Sequence, residues 1–244
     1  MQLNRNTLYY SPRQRFAWLL HYLKVRFKHK ERPRVIAMSR HIRHNGVVIE
    51  VGAHFGYLTK EYARIHNGSV LVIAFEPVDY CYSILKLIVG NLPNVKIEQL
   101  ALSDTDGEQD IIIPVKESGR LGIGLSHFGA ENSRDYISEK IKTIMLDSYL
   151  ETNPLVKIDF IKVDVEGSEL LVLRGARYTL KKFKPVLYLE IDERMTARMG
   201  YKPDEIWHFL AEYGYQSFLM DKNGKLSEAM EFSGVNDYVF KYSD

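Results

Sequence analysis

The sequence predicts an α/β protein built on a doubly wound, mostly parallel β-sheet. From residue 46 onward, short apolar runs alternate with amphipathic ones, the pattern of strands joined by crossover helices. Two glycines follow directly on the first apolar run, in IEVGAHFGYLT (49–59), where such a sheet turns toward its ligand. Acids close the apolar runs: Glu50, Glu76 and Asp164, with Glu190 in or at the end of a fourth.

Residues 1–45 read as a basic, largely helical extension, and 46–244 as the sheet domain. In the extension, QRFAWLLHYLKVRF (14–27) places Phe16, Leu19, Leu20, Leu23 and Phe27 on one helical face. That face can cover the sheet, pair with a second copy of the chain, or lie on a membrane surface. Packing on the body is the expected outcome.

In the sheet domain the first strand is GVVIEVG (46–52), followed by an amphipathic helix, YLTKEYARIHNG (57–68), stopped by Asn67-Gly68. SVLVIAFEP (69–77) is the second strand, and DYCYSILKLIVGNLP (79–93) a helix ended by Gly90 and Pro93. VKIEQLALS (95–103) reads as a third strand, and TDGEQDIIIPV (105–115) as a turn and strand. KIKTIMLDSYL (140–150) is a strand leading into a short helix. IDFIKVDVEG (158–167) is a buried strand ending in acids, and SELLVLRGARYTLKKF (168–183) a helix with Leu170, Leu173 and Leu180 inward. KPVLYLEID (184–192) is a further strand, and PDEIWHFLAEYGY (203–215) a helix behind Pro203. The tail, QSFLMDKNGKLS (216–227) and NDYVFKY (236–242), reads as two strands around an Asn223-Gly224 turn.

The chain's 244 residues suit one α/β domain, and 45% hydrophobic residues supply a sizeable core. A single cysteine, Cys81, excludes an internal disulfide framework and fits a reducing compartment. No apolar run approaches the length of a membrane span, and the N-terminus lacks the apolar core of a signal peptide. These features point to a cytoplasmic protein. Its net charge of +2 is unevenly spread: residues 1–44 carry eleven Lys or Arg against one acid, Glu31, and the remainder twenty-two against thirty. A basic arm on an acidic body suits an anionic partner, such as the inner face of a membrane; a solvated helix face packed on the body is the plainer alternative.

The glycine loop departs from G-x-G-x-x-G, because His54 occupies the slot two after Gly52. Gly52 suits a close backbone approach or a positive φ, and Gly56 close packing of a helix. Glu76 follows Gly56 by 20 residues, at the end of the next strand, where a carboxylate accepts from ribose hydroxyls. A pyrophosphate would be repelled by Glu50 in front of the loop. A nucleoside with an ammonium and a sulfonium centre, S-adenosyl-L-methionine, satisfies both conditions.

Five stretches together resemble the FkbM family of S-adenosylmethionine-dependent methyltransferases: VVIEVGAHFGYLT (47–59), VIAFEPV (72–78), LALSDTDG (100–107), KTIMLDSYL (142–150) and IDFIKVDVEGSELLVLRGA (158–176). PVLYLEID (185–192) supplies the strand the family has next, and the likeness spans roughly residues 46–192. The family pattern usually has Asn where this chain has His54. The resemblance implies a Rossmann-like class I methyltransferase fold with a seven-stranded sheet. It also implies methyl transfer to a hydroxyl of a sugar or glycan, as in cell-surface polysaccharide or glycolipid, or of a related natural product. It places Glu50, Gly52, His54 and Gly56 around the methionine part of the cofactor, Glu76 on the ribose, Ser103 and Asp104 by the adenine, and Asp164 near the methyl group.

Methylation of a hydroxyl requires alignment of oxygen, methyl and sulfur, and loss of the hydroxyl proton. Candidate bases are Asp164, Glu166, Glu190, His54 and His127, with Asp164, Glu190 and His127 foremost. Asp164 and Glu190, on adjacent strands, could also hold a divalent metal such as Mg; the alternative for Glu190 is an ion pair with Lys162. His127 lies in SGRLGIGLSHFGAENS (118–133), a loop suited to acceptor contacts, with Arg120 able to pair an anionic sugar group. Two other readings are a nucleotide-sugar or nicotinamide enzyme, disfavoured by Glu50, and a non-catalytic S-adenosylmethionine-binding protein, disfavoured by the intact acids. A nucleic-acid substrate is disfavoured by the absence of base-methylase and RNA-binding motifs.

Overall fold

The computed structural model describes residues 12–115, 121–128, 135–221, 224–234 and 236–243. Its main sheet is laid down by β1 (Val47–Val51), β2 (Leu71–Phe75), β3 (Val95–Glu98), β7 (Phe160–Val163), β8 (Val186–Ile191), β9 (Tyr215–Met220), β10 (Leu226–Glu228) and β11 (Asn236–Tyr242), in the spatial order β10-β9-β11-β8-β7-β1-β2-β3. The run from β8 to β3 is parallel, whereas β11 is antiparallel to β8 and β9, and β10 to β9. Eight strands therefore stand where the resemblance implies seven. The extra one, β10, is the edge strand of a hairpin with β9; Gly224 of its turn is described and Asn223 is not.

Residues 95–103 do not form one strand. β3 ends at Glu98, and the chain then crosses to a second, three-stranded sheet of order β4-β6-β5, made by β4 (Ala101–Leu102), β5 (Gly107–Pro114) and β6 (Tyr136–Ile144). Ala101, Ile111, Ile113 and Ile141 of this sheet are buried together with Ile84 of α4 (Asp79–Val89). Burying that face of α4 requires the chain to leave the main sheet.

Side-chain alternation sorts the parallel strands into two faces. Ile49, Val51, Ile161, Val163, Leu187 and Leu189 point one way, onto α6 (Glu169–Arg174), α7 (Arg177–Phe183) and α8 (Asp204–Glu212). The single helix expected over 168–183 is two helices: α6 ends at Gly175, and Asp147 of α5 (Leu146–Thr152) caps the start of α7 by accepting from the amides of Tyr178 (2.8 Å) and Thr179 (2.9 Å). Val48, Val72, Phe160 and Tyr188 point the other way, against α2 (Arg32–Ser39) and the residues around α3 (Thr59–Tyr62).

The described part of the N-terminal extension, from residue 12 onward, packs on this body. α1 (Pro12–Phe27) lies on α4, where the Trp18 indole donates to Ser83 Oγ (2.9 Å), and the Lys60 ammonium donates to the Val25 carbonyl in its last turn and the Lys28 carbonyl just beyond it. The side that packs holds Trp18, Tyr22 and Val25. The stripe Phe16, Leu19, Leu20, Leu23 and Phe27 faces outward instead. α1 carries apolar side chains on two sides, and the aromatic side fits α4.

Candidate active site at the carboxyl ends of the strands

The loop after β1 is held at both ends by backbone geometry. The amides of Gly52 and Ala53 both donate to the Phe75 carbonyl (3.1 and 3.0 Å). Gly52 has φ +77°, and a Cβ there would lie 2.0 Å from the Asp164 carbonyl oxygen. Only glycine lets the ends of β1 and β7 come this close. Gly56, at φ +85°, packs against Leu85 of α4, so it seats α4 rather than the helix that follows it in sequence.

Glu50 and Lys162 are register partners on neighbouring parallel strands, and both are buried. Lys162 Nζ donates to Asp164 Oδ2 (3.0 Å) and to the Gly52 carbonyl (3.1 Å). Burial alone would lower the Lys162 pKa, but Asp164 and Glu50 outweigh it and hold it above its usual value. Glu50 has no such hydrogen bond on Oε2, and burial pushes its carboxyl up to about 7 against the pull of Lys162. Glu76, at the end of β2, accepts from the His54 amide through Oε2 (2.7 Å) and the Val78 amide through Oε1 (2.9 Å). Burial raises it to about 7 despite those two donors. His54 sits at φ +51° with its ring against Phe55 (3.8 Å) and a buried, unpartnered Nε2; burial lowers its pKa to about 4, so the ring is neutral at pH 7.

These groups line one cavity of about 280 Å³. Glu50, Gly52, His54, Glu76 and Asp164 form its polar side, and Ala101, Leu102, Ile111, Ile123 and Phe128 an apolar side. His127 reaches it as well, buried, pairing through its backbone with Ile112 and through Nδ1 with the Leu125 carbonyl (2.9 Å). It is thus a wall of the cavity rather than a residue of an open loop. Arg120 lies outside the described residues.

Gly56, Ser103, Asp104 and Glu190 are not among the lining residues. Ser103 is fully buried where β4 meets β6, its amide donating to Ile144 and its hydroxyl reaching Asp104 (3.4 Å). The cavity meets the preceding residues, Leu100 to Leu102, instead. Glu190 turns to the face covered by α2, where Arg34 approaches it (3.9 Å) and pairs more closely with Asp237. Lys162 engages Asp164 Oδ2, and no Glu190–Lys162 bridge forms. Among the described residues, no three His, Cys, Asp or Glu side chains are grouped to hold a metal.

Several contributors carry a weak sequence signal or none. Lys162, a lone base inside an apolar strand flanked by acids, was visible as a candidate, though with Glu190 as its partner. Glu166 lines the cavity at φ +53°, and burial, then Asp164 and Glu190, raise its carboxyl to about 8. Buried Glu169 accepts from the Gly167 amide (3.1 Å) and the Tyr201 hydroxyl (3.3 Å), holding the Glu166 loop in place. Glu31 and Arg34 bring α2 to the cavity rim, a proximity that nothing local announces.

An open, Rossmann-like sheet with a polar cavity at the carboxyl ends of its parallel strands defines a class of ligand-binding α/β proteins. Within that class the chain belongs to the FkbM methyltransferase family: the Methyltransferase FkbM domain matches residues 50–217. The chain is similar to methyltransferase sdnD of Sordaria araneosa, at 27% identity over 158 residues, 54% of this chain and 60% of that protein. The solved structure of methyltransferase FkbM from Methylobacillus flagellatus KT superposes with a TM-score of 0.51 at 16% identity, a likeness of fold, covering 81% of this chain and 44% of that one. The chain thus spans less than two thirds of the length of either relative.

Proposed function

We propose that the chain is an S-adenosyl-L-methionine-dependent methyltransferase acting on a hydroxyl acceptor, of the sugar or glycan class that the family resemblance implies. The observation that carries this reading is two buried carboxyls, Glu50 and Glu76, at adjacent strand ends in one cavity, with Glu50 Oε2 and His54 Nε2 buried and unpartnered. Buried polar atoms ordinarily find partners, and a ligand rich in donors supplies them. The cofactor fits this set. Glu76 would accept from the ribose hydroxyls, Glu50 from the ammonium, and the apolar side made by Leu100, Ala101, Leu102 and Ile111 would take the adenine ring.

When bound, the cofactor supplies a methyl group on a positively charged sulfur. The chain's own work is to orient the acceptor, exclude water and take a proton. Lys162 ties Asp164 to the Gly52 carbonyl and so fixes the floor between β1 and β7. Of the cavity carboxyls inside the rim, Glu166 is the one neither placed on the cofactor nor tied to Lys162, and burial with Asp164 and Glu190 makes it more basic than an ordinary carboxylate. We assign it the hydroxyl proton. Methyl transfer should therefore rise with pH through about 8, and Glu166→Gln should lower kcat about a hundredfold with little change in cofactor affinity.

Calorimetry with S-adenosyl-L-methionine, S-adenosylhomocysteine and NAD tests the cofactor. Binding of the first two is expected; binding of NAD alone overturns the reading. Methyl uptake from labelled cofactor into glycan extracts tests the acceptor class, and label in protein or nucleic acid only would redirect it.

A further inference from the structure

The outward stripe of α1 is an apolar surface unconnected with the cavity lining. Phe16 and Phe27, at its ends, are 62% and 71% exposed, and Leu19, Leu20 and Leu23 between them are also exposed. Projected at about 100° per residue, the five fall within an arc of about 100°. Arg13 and Lys24 run along one border of that arc, and Arg15 and Arg26 along the other; all four are exposed. The opposite side, with Trp18, Tyr22 and Val25, is the one that packs on the body. Residues 12–30 contain no acid.

We propose that this outer face of α1 docks on the surface of an anionic lipid bilayer, its axis in the plane of the interface. An apolar stripe bordered on both sides by bases is the arrangement of an interfacial helix: the stripe enters the acyl boundary while the long basic side chains reach the headgroups. The 16 residues extend about 24 Å at 1.5 Å per residue, and among the described residues no helix is long and apolar enough to cross a membrane. A second copy of the chain fits the face poorly, because two such stripes would bring four bases against four. A nucleic acid fits poorly as well, because the centre of the face is apolar. The Lys60 ammonium on the carbonyls of Val25 and Lys28 anchors the helix to the body. The His21 ring stacks on Phe55 (4.8 Å), next to His54, so the docking helix and the cofactor loop are in direct contact.

The test is co-sedimentation of the full chain with vesicles of phosphatidylcholine alone and with about one third phosphatidylserine, at about 0.1 M and 0.5 M salt. Anionic vesicles should retain at least about tenfold more protein than neutral ones, and the excess should fall at high salt. Leu20→Asp with Leu23→Asp should abolish retention, and Arg15→Gln with Arg26→Gln should remove the preference for anionic lipid. Neither pair touches the packed side, so the melting temperature and cofactor binding should stay unchanged. Equal retention by both vesicle types, or undiminished retention of the leucine variant, overturns the proposal. So does a dimer in light scattering that the leucine variant dissolves, which would assign the stripe to a second copy.

Discussion

The carboxyls ending β1 and β2 and those ending β7 and β8 share one edge of one sheet, in contrasting company. Glu50 and Glu76 are buried and held up to about 7: Glu76 meets two backbone amides, and Glu50 lies beside Lys162 with its Oε2 unpartnered. Asp164 and Glu190 meet bases: Lys162 within the strand layer and Arg34 from α2. On the β7–β8 side these two carboxyls each face a base, although the neighbouring Glu166 is held up to about 8 by burial and by Asp164 and Glu190 themselves. The β1–β2 side leaves carboxylate oxygens for something else to satisfy, and it is there that a donor-rich ligand gains most.

The sharpest way to break this contrast is Lys162→Met. It strands half-buried Asp164 and the Gly52 carbonyl beside buried Glu50, and losing the charge-assisted hydrogen bonds of a buried ammonium should cost about 3 kcal/mol in chemical denaturation at pH 7. A loss below about 1 kcal/mol would mean the β7–β8 half is not held by charge. Glu50→Gln probes the other half with the opposite sign. A carboxyl raised from 4.5 to about 7 by burial contributes stability that is present below 4.5 and lost as pH rises through about 7. The wild-type chain should therefore fall relative to the Gln variant by on the order of 2 kcal/mol between pH 4.5 and 8. Parallel stability curves for the two would show that Glu50 titrates normally. Glu76→Gln should weaken binding of S-adenosyl-L-methionine about tenfold, or about 1.4 kcal/mol, in calorimetry; unchanged affinity would displace the ribose from the end of β2. The smallest effect is expected at Arg34→Ala. Its guanidinium lies over the Tyr188 ring (5.0 Å) and pairs with Asp237 and Glu190 in a half-exposed setting, so stability should drop by about 1 kcal/mol or less.

How much of this was legible depends on the range over which each feature is specified. The glycines at 52 and 56 and the acids at 50, 76 and 164 were readable because strand ends and tight turns impose residue types locally. The partner of Glu190 is not: alternation puts Glu190 and Lys162 on the same face, the one α2 covers, but Lys162 hydrogen-bonds to Asp164 and the Gly52 carbonyl, and Arg34 of α2 approaches Glu190 instead. The apolar stripe of α1 is legible in the sequence, but it faces outward rather than onto the body. Periodicity identifies an apolar face but cannot rank it against a second one, here Trp18, Tyr22 and Val25. Residues 95–103 look like one strand since apolar Val95, Ile97, Leu100, Ala101 and Leu102 run through both halves, and only the competing sheet shows why they separate at Gln99 and Leu100.

By itself, then, the sequence determined the alternation of strands and helices, the glycine loop, the acids at the strand ends and the family to which they belong, all written in short-range residue patterns. Tertiary structure alone decided which carboxyls meet a base and which stay unmatched, which face of α1 is buried, and that α2 reaches the cavity rim. Those outcomes depend on register between strands and on competition among surfaces far apart in the chain, and burial then sets the charge behaviour of each group.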